Sequence, residues 1–318
     1  MPESDAVNPQ AQAQEILAPP ARAAIFLTLI VPPGRESAAK DALADVPALT
    51  RSVAFRAPEA GLTCVTGIGS DLWDRAYAGL PRPAHLHPFA PLTGAKHHAP
   101  ATAGDLLFHL RADSRDICFE LAHQLMRRFD GVAECVDEVQ AFRNWDERDL
   151  LGFVDGSENP GLPEADAVAL IGSGGDYPGG SYVVVQKYLH DIPGWRSLTV
   201  EDQERAVGRS KIENIEIPDD EKAPDAHIVR ASIDAPDGTE LRIVRENMPF
   251  GSPGSGEFGT YFIGYAADPG ITERMLRRMF IGEPPGSHDR LLDFSTAHTG
   301  CLFFVPPADL LEQPESYA

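Results

Sequence analysis

Apolar residues recur along the chain in two rhythms: short continuous or alternating runs, and longer stretches spaced by three and four. Ala23 to Val31 (AAIFLTLIV) is nine residues long and is closed by Pro32-Pro33. A membrane helix needs about 20 apolar residues, so this run is predicted to be a buried strand. An Ala-rich helix is predicted over Arg35–Asp45, two extended stretches over Ser52–Arg56 and Gly61–Gly67, and a short helix over Ser70–Tyr77. A loop rich in Pro, His and Gly runs from Gly79 to Gly104. Leu106–Arg111 reads as a strand, Ser114–Phe129 as an amphipathic helix and Val132–Phe142 as a strand. Ser114 is placed to cap that helix and Asp130-Gly131 to stop it.

The second half repeats this grammar. Ser181–Leu189 is predicted as a strand and Thr199–Val207 as a helix opened by a Thr-x-x-Asp capping signature. Leu241–Glu246 and Thr260–Ala266 read as strands around a Gly/Pro/Ser loop, Ile271–Phe280 as a helix and Cys301–Val305 as a last strand. Each half is roughly β-α-β-β-α-β in order, the first with an additional short helix and extended stretch. The fold class is therefore α+β: two ferredoxin-like domains, antiparallel sheets with helices packed on one face, like a dimeric α+β barrel. The divide falls at the charged string RNWDERDL, residues 143–150. This predicts a flexible N-terminus over 1–22, one domain over 23–145 and a second over 146–318.

Composition narrows the function. With 43% apolar residues over 318 positions, the chain can bury a substantial core. Its 48 Asp and Glu against 27 Lys and Arg give a formal charge of −21. The excess is uneven: 20 acids and 14 bases in residues 1–150, 28 and 13 in residues 151–318. Polyanions are bound by clustered Lys and Arg, and anionic bilayers repel an acidic surface. Nucleic-acid and membrane partners are thus excluded. Met1 to Arg22 has no basic n-region, twin Arg or apolar h-region, and Cys64, Cys118, Cys135 and Cys301 stand apart with no CxxC or CxxCH spacing. Reduced thiols in a cytoplasmic protein are expected, without a zinc ribbon or covalently attached haem.

Three strings stand out. Gly152 to Pro160 (GFVDGSENP) contains Asp-Gly and Asn-Pro turns, but it lies at the domain junction, and Asp155 follows the apolar Phe153-Val154. His227 follows the acidic stretch Glu213 to Asp225; a lone His is more often a surface or satisfied core residue than a ligand. In Leu241 to Asn247, alternation places Leu241, Ile243 and Arg245 on one face and Arg242, Val244 and Glu246 on the other. An Arg beside Leu and Ile must snorkel, pair with an acid or point into a polar pocket. His85-x-His87 and His97-His98 lack a third ligand at zinc-like spacing, and no P-loop or GxSxG elbow occurs.

Together these strings resemble one family. Asp149 to Pro160 is similar to the GxxDG signature of dye-decolourising peroxidases. Val207-Gly-Arg209-Ser-Lys, His227-Ile-Val-Arg, Arg245-Glu-Asn247-Met-Pro-Phe-Gly and Asp289-Arg-Leu-Leu-Asp-Phe-Ser follow in the family's order. The likeness covers residues 20–306 and resembles the B-type, cytoplasmic branch. It implies one non-covalent haem b per subunit, held by the C-terminal domain. It further implies His227 as the axial ligand of the haem iron, with Asp289 bonded to its second ring nitrogen. Arg209 would pair with a haem propionate. Asp155, Arg245 and Asn247 would form the polar group at the peroxide, Arg245 also counting among the cofactor contacts.

The implied activity is reduction of hydrogen peroxide through an oxo-ferryl porphyrin radical, with dyes, phenols or similar one-electron donors oxidised in return. Asp155 would shuttle a proton, Arg245 would stabilise negative charge on peroxide, and Asn247 would position it. Arg245 is expected to matter most, because a water-mediated proton route has substitutes and a fixed charge has none. Trp73, Trp145, Trp195 and the tyrosines are candidate relays to bulky donors. Glu158, Glu213, Glu216 and Glu240 are candidates for a Mn(II) site, although a solvated acidic face is the simpler reading. Two other functions compete: a haem-handling protein with little turnover, separated by peroxide consumption, and a haem-free ferredoxin-like regulator, separated by an absorption spectrum. The resemblance implies homo-oligomers. The tail from Pro306 to Ala318 is short and acidic, without a Gly/Leu-rich basic peptide, so carriage as encapsulin cargo is not expected.

Overall fold

The computed structural model describes residues 12–317. A ten-stranded antiparallel sheet organises it. In the first half, β1 (Ala23–Ile30), β2 (Thr63–Gly69), β3 (Leu106–Ala112) and β4 (Glu134–Phe142) lie in the order β2-β3-β1-β4. The strand period of two divides β1. Ile25, Leu27 and Leu29 face the helical layer of α1 (Glu36–Ala54) and α2 (Arg115–Arg128), and Ala24 and Phe26 face the other way.

The second half contributes β5 (Ser181–His190), β6 (Val244–Arg245), β7 (Met248–Ser252), β8 (Glu257–Ala266), β9 (Ser295–Ala297) and β10 (Cys301–Val305). Their order is β6-β8-β5-β10, with β7 on β8 and β9 on β5. Setting β7 and β9 aside, both halves show the same permutation, which is the ferredoxin-like arrangement expected. The halves join where β10 pairs with β2, Phe303 opposite Gly69 and Phe304 opposite Ile68. The sheet then curls, so that Phe26 of β1 stacks on Tyr261 of β8 with ring centres 4.0 Å apart. A buried core between the halves holds Phe26, Val65, Val183, Ile263 and Phe303, and the helices cover the outside.

Three local expectations change. The first helix does not stop at Asp45: α1 runs through Pro47 to Ala54, so Ser52–Ala54 is helical rather than extended. Proline removes one helical hydrogen bond, but Leu43, Val46 and Val53 bury on α1, and that packing carries the helix through. The strand expected over Leu241–Glu246 breaks into Glu240–Leu241 and Val244–Arg245. Residues 1–11 of the expected flexible N-terminus lie outside the described residues. Residues 12–22 are docked: Ile16 is wholly buried, and the Gln14 amide bonds to Thr66 and Pro306.

The halves differ where function needs them to. Between β1 and β2 the long helix α1 packs directly on the sheet. The equivalent connection between β5 and β6, residues 191–243, holds only short helices, α3 (Ile192–Arg196), α4 (Val200–Val207) and α5 (His227–Ala231). With α6 (Pro269–Phe280) these leave a cleft over the outer face of β5 and β8. Among the described residues, no helix is long and apolar enough to cross a membrane.

Candidate active site

His227 is the first residue of α5. Its Nδ1 lies 2.6 Å from Oδ2 of Asp289. Asp289 is wholly buried and held from both sides. Its Oδ1 accepts the Leu291 N–H at 2.8 Å, and its own N–H donates to the Met279 carbonyl at 2.8 Å. A carboxylate acceptor assigns the proton to Nδ1 and leaves Nε2 as the lone-pair atom. Burial opposes charge on this imidazole, but the Asp289 carboxylate, through its charge and its hydrogen bond, prevails and raises the pKa above the ordinary value. Gly208, with φ +95°, ends α4; a side chain there would strike Ile228 of α5. Glycine therefore lets α4 close against the helix that carries His227.

Arg209 follows directly. Its Nη1 is 2.5 Å from Glu158 Oε1, and its Nε and Nη2 bond to the side chain and carbonyl of Asn214 at 3.0 and 2.9 Å. The guanidinium is thus fixed in the outer lobe of the cleft.

The loop 149–160 is built on two Asp-led turns. Asp149 Oδ1 accepts the N–H groups of Leu151 at 3.0 Å and Phe153 at 2.9 Å. Asp155 Oδ1 accepts the Gly156 N–H at 2.8 Å, with Gly156 left-handed at φ +78°. Burial raises the pKa of Asp155 above the usual carboxyl range; Arg245, the Gly156 N–H and the Asn247 amide recover only part of the shift. Burial pushes Asp149 up to about 7 against the pull of its backbone donors.

Where the strand pattern resumes, alternation holds. Ile243, Arg245 and Asn247 line the cleft, Val244 enters the core between the halves, and Glu246 turns to the buried Arg111 of β3 at 3.1 Å. Asn247 Oδ1 accepts the Ile263 N–H at 3.1 Å, which leaves its NH2 to face the Asp155 carboxyl. The Nε of Arg245 is buried and has no hydrogen-bond partner among the described residues.

His227, Asp155, Arg245 and Asn247 meet in a cleft of about 1050 Å³, its open mouth included, with Asp289 behind His227 and Arg209 in the adjoining outer lobe. Tyr188, His190, Thr260 and Phe262 form its floor, with Leu151, Phe153, Met275 and Leu291 among its walls. The fold thus gathers His227, Asp289, Arg209, Asp155, Arg245 and Asn247 from segments scattered over more than a hundred residues.

Sequence reasoning missed several neighbours. Asn159, read only as part of a turn, makes two hydrogen bonds to the backbone of Arg245. Arg111 and Glu246 pair across the halves; the only hint was an Arg inside an apolar strand. His97 does find further partners: Asp293 Oδ1 takes His97 Nε2 at 2.8 Å and His288 Nε2 at 3.2 Å. Lys96 and Arg290 already hold both oxygens of that carboxylate, so the cluster is an ionic clasp between the Pro-rich loop and the Asp289 segment. Trp73 and Trp195 are core residues, whereas Trp145 is exposed. Glu158 and Glu216 pair with Arg209, and Glu240 with Arg242.

Two family models cover almost the whole chain: Dyp-type peroxidase, N-terminal, over residues 13–143, and Dyp-type peroxidase, C-terminal, over residues 146–310. A dye-decolorizing peroxidase of Brevibacterium linens is 56% identical over 303 residues, covering 95% of this chain and 82% of that protein. The encapsulated DyP-type peroxidase of Mycobacterium smegmatis, solved by cryo-EM, superposes with a TM-score of 0.93 at 54% identity over 96% of this chain and 98% of that one. A variant of DypB from Rhodococcus jostii, solved in complex with heme, gives 0.92 at 50% identity over 95% and 99%. The chain belongs to the Dyp-type peroxidase family.

Proposed function

We propose that the protein is a haem-dependent peroxidase that reduces hydrogen peroxide and oxidises dyes, phenols or similar one-electron donors. One observation carries this reading. A single cleft holds an imidazole backed by a buried carboxylate, together with a buried guanidinium nitrogen that has no partner among the described residues. The donor set fits haem b: one imidazole nitrogen for iron, apolar walls for the macrocycle and the Arg209 guanidinium in the outer lobe for a propionate. The heme complex of DypB supports the same cofactor for this chain.

Bound haem supplies the iron that takes up peroxide and the macrocycle that stores oxidising equivalents. The residues of this chain do the rest. His227 would offer Nε2 to the iron, while Asp289 keeps the proton on Nδ1, fixes the ring plane and makes the imidazole a stronger donor. Asp155 has Oδ1 tied to Gly156, so Oδ2 is the atom that takes a proton from one peroxide oxygen and returns it to the other. Arg245 holds a fixed positive charge where negative charge develops on oxygen. The Asn247 NH2 orients peroxide or water without titrating.

The division into domains at 23–145 and 146–318 is supported by the two halves' matching strand order and by the family models meeting near residue 145. Haem and all six site residues belong, on this reading, to the second domain. Association of identical subunits is the accompanying expectation, and sedimentation of the loaded protein tests it.

Purified protein titrated with haem should show a Soret band saturating at one equivalent and should oxidise a phenol or dye with peroxide. Failure to bind haem at that ratio removes the reading. His227→Ala should lose haem or lose the peroxide-induced spectral change; an unaltered Soret band and reaction would assign the axial ligand elsewhere. Haem binding without peroxide turnover would favour a haem-handling role.

A further inference from the structure

We propose that Asn159 is a positioning residue for peroxide activation, acting by holding Arg245 at the open edge of the sheet. The inference rests on the role assigned above to Arg245. β6 is the outermost strand on its side. An edge strand leaves backbone N–H and C=O groups without a ladder partner. At Arg245 one side chain takes both: the Arg245 N–H donates to Asn159 Oδ1 at 2.9 Å, and the Arg245 carbonyl accepts from Asn159 Nδ2 at 2.7 Å. A primary amide presents donor and acceptor side by side, so it imitates one residue of a neighbouring strand.

This clamp has work to do because the ladder here is short. β6 pairs with β8 through Val244 opposite Tyr265 and Arg245 opposite Gly264, and one further bond, from the Glu246 N–H to the Ile263 carbonyl at 3.1 Å, continues it. Asn159 is itself anchored, its N–H donating to the Gly156 carbonyl at 3.1 Å, and so it closes the turn that begins at Gly156, directly after Asp155. The proton-moving carboxyl therefore directly precedes a short turn, and the clamp on Arg245 ends it. The two charges that act on peroxide are thereby held in register. No close substitute makes both bonds: Asp sets a carboxylate oxygen against the Arg245 carbonyl, and Gln is one methylene too long.

The test uses haem-loaded wild type, Asn159→Ala, Asn159→Asp, Arg245→Leu and the double variant Asn159→Ala/Arg245→Leu. The measurements are the stopped-flow Soret change on mixing with peroxide, the resting Soret position, haem content and Tm. Asn159→Ala should slow the peroxide reaction by about tenfold to hundredfold, the effect expected when a reacting group shifts by about 1 Å. Its resting spectrum and its KM for a phenol should stay as in wild type. Asn159→Asp keeps one of the two bonds but sets a carboxylate oxygen against the Arg245 carbonyl, so it too should slow the reaction. In the Arg245→Leu background, Asn159→Ala should add nothing, because the group it positions is gone. A wild-type rate in Asn159→Ala, or a loss of equal size in both backgrounds, overturns the proposal. If Asn159→Ala does not retain haem, Asn159→Asp is read in both backgrounds by the same criteria. An Arg245→Leu protein that reacts at the wild-type rate overturns the role of Arg245 itself, a failure distinct from that of the clamp.

Discussion

At Asp155 two demands compete. A proton acceptor must be ionised, yet the cleft that shields it from water penalises its charge, and burial raises its pKa despite Arg245 close by. The sign follows. The raised carboxyl is still protonated at pH values where an ordinary Asp is ionised, so the rate with peroxide should climb as pH rises through its midpoint. Stopped-flow rates across pH 4 to 8 should show that limb in wild type and lack it in Asp155→Asn; a limb that survives the substitution belongs to another group. Little of this was legible in single residues. Asp155 drew notice by following Phe153-Val154, and Arg245 by sharing a strand face with Ile243. Taken alone, His227 looked like any surface histidine. Its pairing with Asp289 across 62 residues is a tertiary fact that local pattern does not encode, and only the resemblance to a family anticipated it.

Among the elements, the loop that ends in Asn159 opens with a buried carboxyl of its own. Asp149 accepts two backbone N–H groups and is pushed by burial up to about 7. A carboxyl whose folded pKa exceeds its unfolded value costs nothing while protonated in both states. It then destabilises the fold progressively as pH rises from about 4, where the unfolded chain ionises, to that folded midpoint. Asp149→Asn retains the acceptor oxygen and removes the titration. In the haem-free protein its Tm should therefore gain on wild type between pH 4 and pH 7 and hold a constant lead above that. A gap independent of pH would show that Asp149 does not titrate in this range. Periodicity located eight of the ten strands of the main sheet, because burial on one face of a sheet repeats every second residue; Met248–Ser252, read as part of a Gly/Pro/Ser loop, and Ser295–Ala297 were missed. It failed at Pro47, where tertiary packing of α1 overrode a local stop signal, and at Arg242-Ile243, where the strand breaks at a sheet edge. It also gave no sign of α5, whose five residues are too few to display a helical period.

Over the whole molecule, charge bears on substrate choice. The net −21 falls mostly on residues 151–318, the half that holds the cleft. Such a field disfavours anionic reductants and is screened by salt. At saturating peroxide, kcat/KM for a sulfonated dye should rise by up to about tenfold with added salt or falling pH, while a neutral phenol changes little. A dye rate insensitive to salt would place electron transfer away from the acidic surface. This trend runs opposite to that of the peroxide step, so the two must be timed separately. The α+β class and the repeated β-α-β-β-α-β order both came from the sequence itself, because short-range periodicity is a local property. That the two sheets join through β2 and β10 and curl together was decided in three dimensions. The same holds for the cleft left open by residues 191–243, and for the meeting of His227, Asp155 and Arg245 within it. Each depends on which distant surfaces bury one another, and no local pattern of residues specifies that.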